Sequence, residues 1–511
     1  MTLGSEASVE TDATSLAPYG NVVRDLAGVD LGDRRLNARV LRMALAIARS
    51  PAAPLTQTFA DPSQLEGAYR LIENDRVDAE AILAAHQAGT LARCVGHETV
   101  LVIHDTTSIA IGGAQPLGMG VLDPGNTSGF YLHLSLAVSM TGEPLGVLRA
   151  YAWTRPGKVS GKISQSISQY LPDRESLRWI DAVQEVESLL RYGMPDGVPV
   201  RAIHVMDREA DFVEMLAELF EEDISFVVRA KNDRRLSPGR TATDDKLFAA
   251  VQASPVRVNT TVQLIQRFRS TGHTKQKNPT RMGGRERAKI TTWSETRTAQ
   301  LEVRSTRRTI FGGNGHHAHF PDSGVPLNVV SVSEVNAPET AESIQWHLIT
   351  DQPIDTVEEV VRAVDIYRKR WLIEELFKAL KTGCKYEDHK FETADRYARM
   401  LAIYLPIAVQ LLRARWYDRY RPNDPASRLL DPDELDALRA LLWTSRKTLS
   451  PNPTVTEVVK VIARLGGHLP SNGPPGWIIL ERGFTKLNDF ADGFRAAKAW
   501  MNRTPSPQGD D

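Results

Sequence analysis

Two short apolar runs, each closing on an aspartate, constrain this chain more than any other feature. Thr99–Ile103 runs into His104-Asp105, and Val198–Met206 runs into Asp207. A bounded run of apolar, β-branched residues reads as a strand buried in a sheet, and an acid after it sits at the strand's C-terminal end. Phe130–Ser139 and Leu145–Trp153 flank Thr141-Gly142-Glu143-Pro144, the pattern of a β-hairpin. Helical periodicity follows over 172–191 and again over 209–220, and Ile224–Arg229 reads as a fifth strand. The order is three strands, helix, strand, helix, strand, an α/β layout with a mixed sheet.

That order matches a ribonuclease-H-like core. Around it, residues 30–95 are helical in pattern, with connections marked by Pro51, Pro54 and Pro62. Residues 232 to about 345 are Thr/Arg-rich and strand-like, with a Gly312-Gly313-Asn314-Gly315 turn, and read as a β-rich insertion. A helix is expected from Val357 to Lys381, stopped at Gly383, and a second from Ala394 to Trp416. A Pro/Asp-rich linker over 421–434 leads into further helices. The expected domains are a helical N-terminal domain over 1–78, a catalytic domain over 79–417 and a helical C-terminal domain over 418–511.

The chain's 511 residues are enough for about three domains. With 42% hydrophobic and 24% charged residues it reads as an ordinary soluble globular protein. Two cysteines, Cys94 and Cys384, support neither a disulfide framework nor a four-thiolate zinc site, which suits a reducing cytoplasm. The apolar stretch Met400–Leu412 is too short to span a bilayer, and the N-terminal residues lack the pattern of an export signal. The net charge of -1 argues against a polyanionic partner only until it is mapped. Between Arg257 and Arg308 stand 13 Lys or Arg against three Glu. Such a run serves phosphate contacts or a solvated face. Arg34, Arg35, Arg39, Arg42 and Arg49 give an N-terminal helix a second basic face.

Strand-end acids in an open α/β sheet are where ligands and catalytic groups collect. Asp105 and Asp207, joined by a third carboxylate, make an all-oxygen set suited to magnesium. Glu374 is the candidate. On one continuous helix Tyr367, Arg370, Glu374 and Lys381 share an arc of about 60°, beside an apolar stripe of Ile366, Ile373, Phe377 and Leu380. That set serves a metal-bound phosphate or a plain intrahelical salt bridge. Glu209 and Asp211 are read as local caps or bridges, His104 as a core histidine facing away from Asp105, and His316-His317 as having no acid or Cys partner nearby.

These residues form motifs. Asp105 in HDTTS, the DREAD box at Asp207–Asp211, and Y-x2-R-x3-E-x6-K from Tyr367 to Lys381 resemble the DDE transposases of the insertion-sequence-four family. LGDRR from Leu31, EGAYR from Glu66, FVVRAK from Phe226, EELFKALKTG from Glu374 and IARLGG from Ile462 extend the likeness over most of the chain. The resemblance implies a cut-and-paste transposase that cuts DNA through a hairpin intermediate, with a helical DNA-binding N-terminal domain and a C-terminal dimerisation region. It implies Asp105, Asp207 and Glu374 as ligands for two magnesium ions, with manganese as a substitute. It implies DNA contacts by Arg39, Arg70, Arg229, Lys231, Tyr367, Arg370, Lys378 and Lys381, and a flipped base stacked on Trp346, which would otherwise read as core. Phe377 stands where relatives carry His. The implied partners are double-stranded DNA, as transposon ends and target, and a second copy in a synaptic complex, with no membrane, in the bacterial cytoplasm or nucleoid. The alternatives are a ribonuclease-H-fold nuclease or resolvase, and a DNA-binding relative with an inactive site.

Overall fold

The structure is a computed structural model describing residues 22, 24–122, 127–155, 174–237, 245–274, 287–311, 321, 323–338, 343–444, 446–469 and 474–501. The side chains of residues 264–296 lie outside that description, as do His316 and His317. In chain order the helices and strands are α1 Arg34–Arg49, α2 Pro62–Glu73, α3 Ala79–Cys94, β1 Thr99–Ala110, β2 Gly120–Leu122, β3 Thr127–Ser139 and β4 Pro144–Trp153. Next come α4 Leu177–Tyr192, β5 Arg201–Met206, α5 Val213–Glu221, β6 Phe226–Arg229, α6 Leu247–Gln252, β7 Val256–Thr274, β8 Arg287–Ile310, β9 Val325–Val335 and β10 Gln345–Thr350. The chain continues through α7 Val357–Arg368, α8 Trp371–Lys378, α9 Ala394–Tyr420, α10 Pro432–Thr444, α11 Val455–Leu465 and α12 Trp477–Met501. The fold is mixed α/β with helical N- and C-terminal regions. It divides into two compact units, residues 1–204 with 369–511, and residues 205–368.

In the first unit β3 is the hub. It pairs antiparallel with β1, β2 and β4, and β5 lies on the far side of β1. Apart from the short β2, three consecutive strands followed by β5 thus lie in the order β4-β3-β1-β5, as expected of a ribonuclease-H-like core. Gly142, at φ +90°, turns β3 into β4 where the sequence placed the hairpin. Two expectations change. Strand β1 does not end at Asp105: it runs on to Ala110, paired with β3 as far as Gly129. Its apolar run ends at Ile103, but Thr106, Thr107 and Ser108 keep the ladder while only half buried. The helix expected over 209–220 is a short 3₁₀ turn, Arg208–Ala210, followed by α5.

Helix α9 is the centre of this unit. Tyr397 and Met400 through Leu412 are buried on every side, and Pro406 lies inside the helix. A helix apolar all round belongs in a core. No helix among the described residues is long and apolar enough to cross a membrane. Arg399 of α9 is buried and donates to the carbonyls of Ile72 and Val77, each at 2.8 Å, which fastens the end of α2 to the core.

The C-terminal helices cross closely for a reason visible in the IARLGG string. A Cβ on Gly466 would lie 1.9 Å from the Ile479 carbonyl oxygen, and one on Gly483 would lie 2.0 Å from that of Ile462. Only glycine lets α11 and α12 approach so near. In the first turn of α10, Glu434 is buried and its carboxyl is pushed up to about 8, first by burial and then by Asp431, partly opposed by Arg495. The folded chain therefore keeps this proton up to about pH 8, while the unfolded chain releases it near 4.5. Stability from this group is lost as pH rises through that window. Glu434→Gln, which keeps the acceptor used by the Asp431 N–H, is expected to flatten the fall in melting temperature between pH 6 and pH 9. An unchanged slope would show that Glu434 does not carry it.

In the second unit the strands follow the order β6-β10-β9-β8-β7, with β10 antiparallel to both β6 and β9. The segment read as a β-rich insertion thus continues one sheet outward from β6. Of its basic run, Arg257, Arg297, Arg304, Arg307 and Arg308 have described side chains, and each is engaged within the unit. Arg297 pairs with Glu334, Arg304 with Glu302 and Arg307 with Asp355, while Arg257 and Arg308 donate to carbonyls. Arg257, Arg297 and Arg304 are half buried in these contacts, whereas Arg307 and Arg308 are exposed; the remainder of the run lies outside the described side chains.

Candidate active site

In the first unit, Asp105 stands midway along β1, opposite Leu134 of β3. Its Oδ1 accepts from the Thr106 N–H at 2.8 Å, and its Oδ2 accepts from Arg370 Nη1 at 2.9 Å. The other terminal nitrogen of Arg370 donates to Glu374, one turn further along α8. One guanidinium therefore clamps two carboxylates from opposite halves of the sequence, and such charge-assisted contacts are the strong ones. Helix α8 is held there because Ile373, Leu376 and Phe377 are buried on its other side. Phe377 is thus a core residue.

The continuous helix expected over 357–381 is broken. Helix α7 ends at Arg368, α8 starts at Trp371, and Ala379–Gly383 form a wide turn closed by the Cys384 N–H on the Ala379 carbonyl at 2.7 Å. The equal spacing assumed for Tyr367, Arg370, Glu374 and Lys381 therefore fails, because a five-residue turn shifts the angular position of Lys381. Lys381 still reaches β1, donating to Thr107 Oγ1 at 2.8 Å and to the Ser108 carbonyl at 2.6 Å. Burial lowers its ammonium from the usual lysine range, opposed by Glu387. The residues that lengthen β1 are thus the ones that seat Lys381, and Glu387 accepts from the Ala110 N–H at 2.9 Å. Thr107 and Ser108 are the last two residues of the HDTTS motif, whereas Glu387 carries no sequence signal.

Behind Asp105 the strand is fixed by a buried polar string. His104 contacts Ser135 at 3.0 Å and His204 at 2.8 Å, and His204 contacts Glu187 at 3.0 Å. Burial pushes the His104 imidazole well below its usual range, with His204 and His133 adding to it. His104 is the satisfied core histidine the alternation expected.

In the second unit, Asp207 follows β5 directly and caps the next turn, its Oδ1 accepting from the Glu209 N–H at 2.7 Å. Glu209 is exposed. Asp211 is buried and accepts from the N–H groups of Lys231 and Asn232 at 2.6 and 2.7 Å, and it pairs with Arg234. Asp211 is a bridge that sets the turn after β6. Arg229 donates to the Gln345 carbonyl at 3.1 Å. Trp346 is half buried and lies edge-on to Tyr367 of α7, with ring centroids 5.6 Å apart.

The remaining candidates lie in the first unit. Arg39 of α1 lies against Gly67 of α2, where a Cβ would be 3.9 Å from its guanidinium. Exposed Arg70 on α2 pairs with Glu66 at 2.5 Å. Exposed Lys378 pairs with Glu375 and covers the ring of Trp371 at 4.5 Å. Trp371, 52% exposed, drew no attention in the sequence.

Among the described residues, no group of three His, Cys, Asp or Glu side chains already gathers as a metal cage. The donors fit a hard divalent cation in kind: Asp105 and Glu374 offer only oxygen, and they already share one cationic group.

Residues 22–77 match the family model described as transposase DNA-binding, and residues 196–408 match that of the transposase DDE domain. The chain carries the two domains of a DDE transposase. The DNA-binding match contains Arg39 and Arg70 of this transposase, and the DDE match contains Asp207 and Glu374. Asp105 lies before the DDE match, so its place in the site rests on the contact with Arg370. A piggyBac transposase synaptic complex with hairpin DNA, solved by cryo-electron microscopy, aligns over 97% of this chain and 76% of its own at 10% identity. Its TM-score of 0.32 is too low to bear on the argument.

Proposed function

We propose that this DDE transposase is a cut-and-paste enzyme of the insertion-sequence-four family, resembling the transposase of bacterial transposon five. The observation that carries the reading is Arg370, which holds Asp105 and Glu374 on one guanidinium. Asp105, Asp207 and Glu374 would hold magnesium, which when bound supplies Lewis-acid activation of the attacking oxygen and stabilises the leaving one. The rest of the work falls to the chain. Arg39 and Arg70 face the repeat at each transposon end, and Arg229, Lys231, Tyr367, Lys378 and Lys381 hold the strand backbone. Arg370 exchanges its carboxylates for a phosphate as DNA enters.

Water then adds to phosphorus and the 3'-oxygen leaves as a hydroxyl. That hydroxyl attacks phosphorus in the opposite strand, forming a hairpin as the flanking DNA leaves with a 3'-OH. A second water reopens the hairpin, and the freed 3'-OH attacks a target phosphodiester, whose own 3'-oxygen leaves as a hydroxyl. Flipping a base out costs a few kcal/mol, offset in part by stacking on Trp346, about 1–3 kcal/mol per base. The reading includes a homodimer assembled on paired ends in the bacterial cytoplasm.

Trp346→Ala tests the hairpin step. First-strand nicks are expected at the wild-type rate, while hairpin yield falls about tenfold, in line with the loss of one stacked base. An unchanged hairpin yield on a denaturing gel would remove Trp346 from this role.

A further inference from the structure

Within the second unit, the turn after β6, helix α6 and the start of β10 line a cleft of about 380 Å³. Arg208, Arg229 and Lys231 line it together with Phe248, Gln252 and His347, and no carboxylate is among its lining residues. Successive strand residues point to opposite faces, so His347 lies on the face of β10 away from Trp346. His347 is 7% exposed, and its Nδ1 has no hydrogen-bond partner among the described residues. Phe248 lies flat on its ring, 4.1 Å between centroids and 13° between planes. Gln252 donates its amide nitrogen to Ser331 Oγ at 3.1 Å and Ser333 Oγ at 2.9 Å, which fixes the amide and leaves Oε1 as its acceptor.

Asp233 lies beside the cleft, accepting from the Phe248 N–H at 2.8 Å, but the three cations that line it outnumber this one acid, a balance that suits a phosphate. A bare phosphate does not need this volume, which falls in the range of about 300–1,000 Å³ typical of small-molecule sites. It does not need an aromatic wall, a fixed amide oxygen and an unsatisfied imidazole nitrogen either. Those three are what recognise the face and edge of a base. An oriented carbonyl oxygen accepts from the exocyclic amine that adenine, cytosine and guanine carry and thymine lacks.

We propose that this cleft is a subsite for one nucleoside phosphate with an amino-bearing base, separate from the surface that carries Trp346. The phosphate lies on Arg208, Arg229 and Lys231, and the base lies along Phe248 with its amine on Gln252. The nucleotide comes either from a DNA strand or from the free pool; only the first source rests on the transposase reading.

Calorimetric titration of the full chain with deoxyadenosine monophosphate, without metal, tests it. Saturable binding is expected, with affinity at least about tenfold weaker for thymidine monophosphate and for inorganic phosphate, a difference of about 1.4 kcal/mol. The same loss is expected for Arg208→Gln, which alters an exposed side chain, and for Phe248→Ala, with melting curves as fold controls. Equal affinity for nucleotide and inorganic phosphate, or wild-type affinity in folded Arg208→Gln, would overturn the proposal. Displacement of the mononucleotide by a 5'-phosphorylated single-stranded oligonucleotide assigns the subsite to the strand, and no displacement assigns it to free nucleotide. Cleavage at transposon ends without nucleotide binding would remove the subsite alone. Nucleotide binding without binding or cleavage of any terminal repeat would remove the transposase reading alone.

Discussion

Asp105→Asn is expected to lower DNA strand cleavage by about 10³-fold or more, equivalent to about 4 kcal/mol of barrier. The substitution changes charge and little else. Asparagine keeps an oxygen to accept the Thr106 N–H and fills the same space beside β3. What goes is one of the two negative groups that Arg370 now neutralises and that a divalent cation would need. Glu374→Gln is expected to match it. Binding to repeat DNA, which the reading assigns to the matched DNA-binding domain over residues 22–77, should persist in both variants by gel shift. Cleavage within tenfold of wild type in Asp105→Asn would show that Asp105, which precedes the matched DDE domain, is not part of the site.

The largest stability effect is expected far from this chemistry, at Asp25. Its carboxylate is 2% exposed and meets His86 Nδ1 at 3.2 Å and the guanidinium of Arg93. His86 Nε2 accepts from the Val147 N–H at 3.1 Å, so the ring proton sits on Nδ1 and is donated to Asp25. Arg93 also donates to the Leu145 carbonyl. Asp25 thereby joins the N-terminal segment to α3 and to β4. Burial alone would raise its carboxyl, but His86 and Arg93 outweigh it and bring it down to about 2. Asp25→Ala leaves a half-buried guanidinium and a buried imidazole facing each other, and a loss of about 3 kcal/mol is expected by urea unfolding. The sign with pH is fixed. The contribution is whole above the unfolded value of 3.8 and is lost as pH falls through about 2. A loss below about 1 kcal/mol would mean that the pair adds only what an exposed salt bridge does.

The core order of strands was legible because apolar, β-branched runs have the length of buried strands, and because Gly142 marks the hairpin. The end of β1 was not, since Thr106–Ser108 look like a loop by polarity but pair like a strand. The break between α7 and α8 carries no Gly or Pro, and helical spacing continues across Lys369 and Arg370. Only the short i to i+3 contacts from Leu372 to Lys369 and from Ile373 to Arg370 reveal it. The three acids were legible as motifs. The guanidinium that joins two of them was legible as a motif residue only, because a contact between β1 and α8 leaves no local pattern. The Asp25 anchor and the cleft around His347 left none either. Each is built from single residues brought together by packing.

The central claim is tested most directly by incubating the purified chain and magnesium with linear DNA bearing the inverted repeats that flank its own gene. Nicks, hairpins and an excised fragment with ends at the repeats are expected, all lost in Glu374→Gln. Cleavage indifferent to the repeats, or persisting in that variant, would contradict the account.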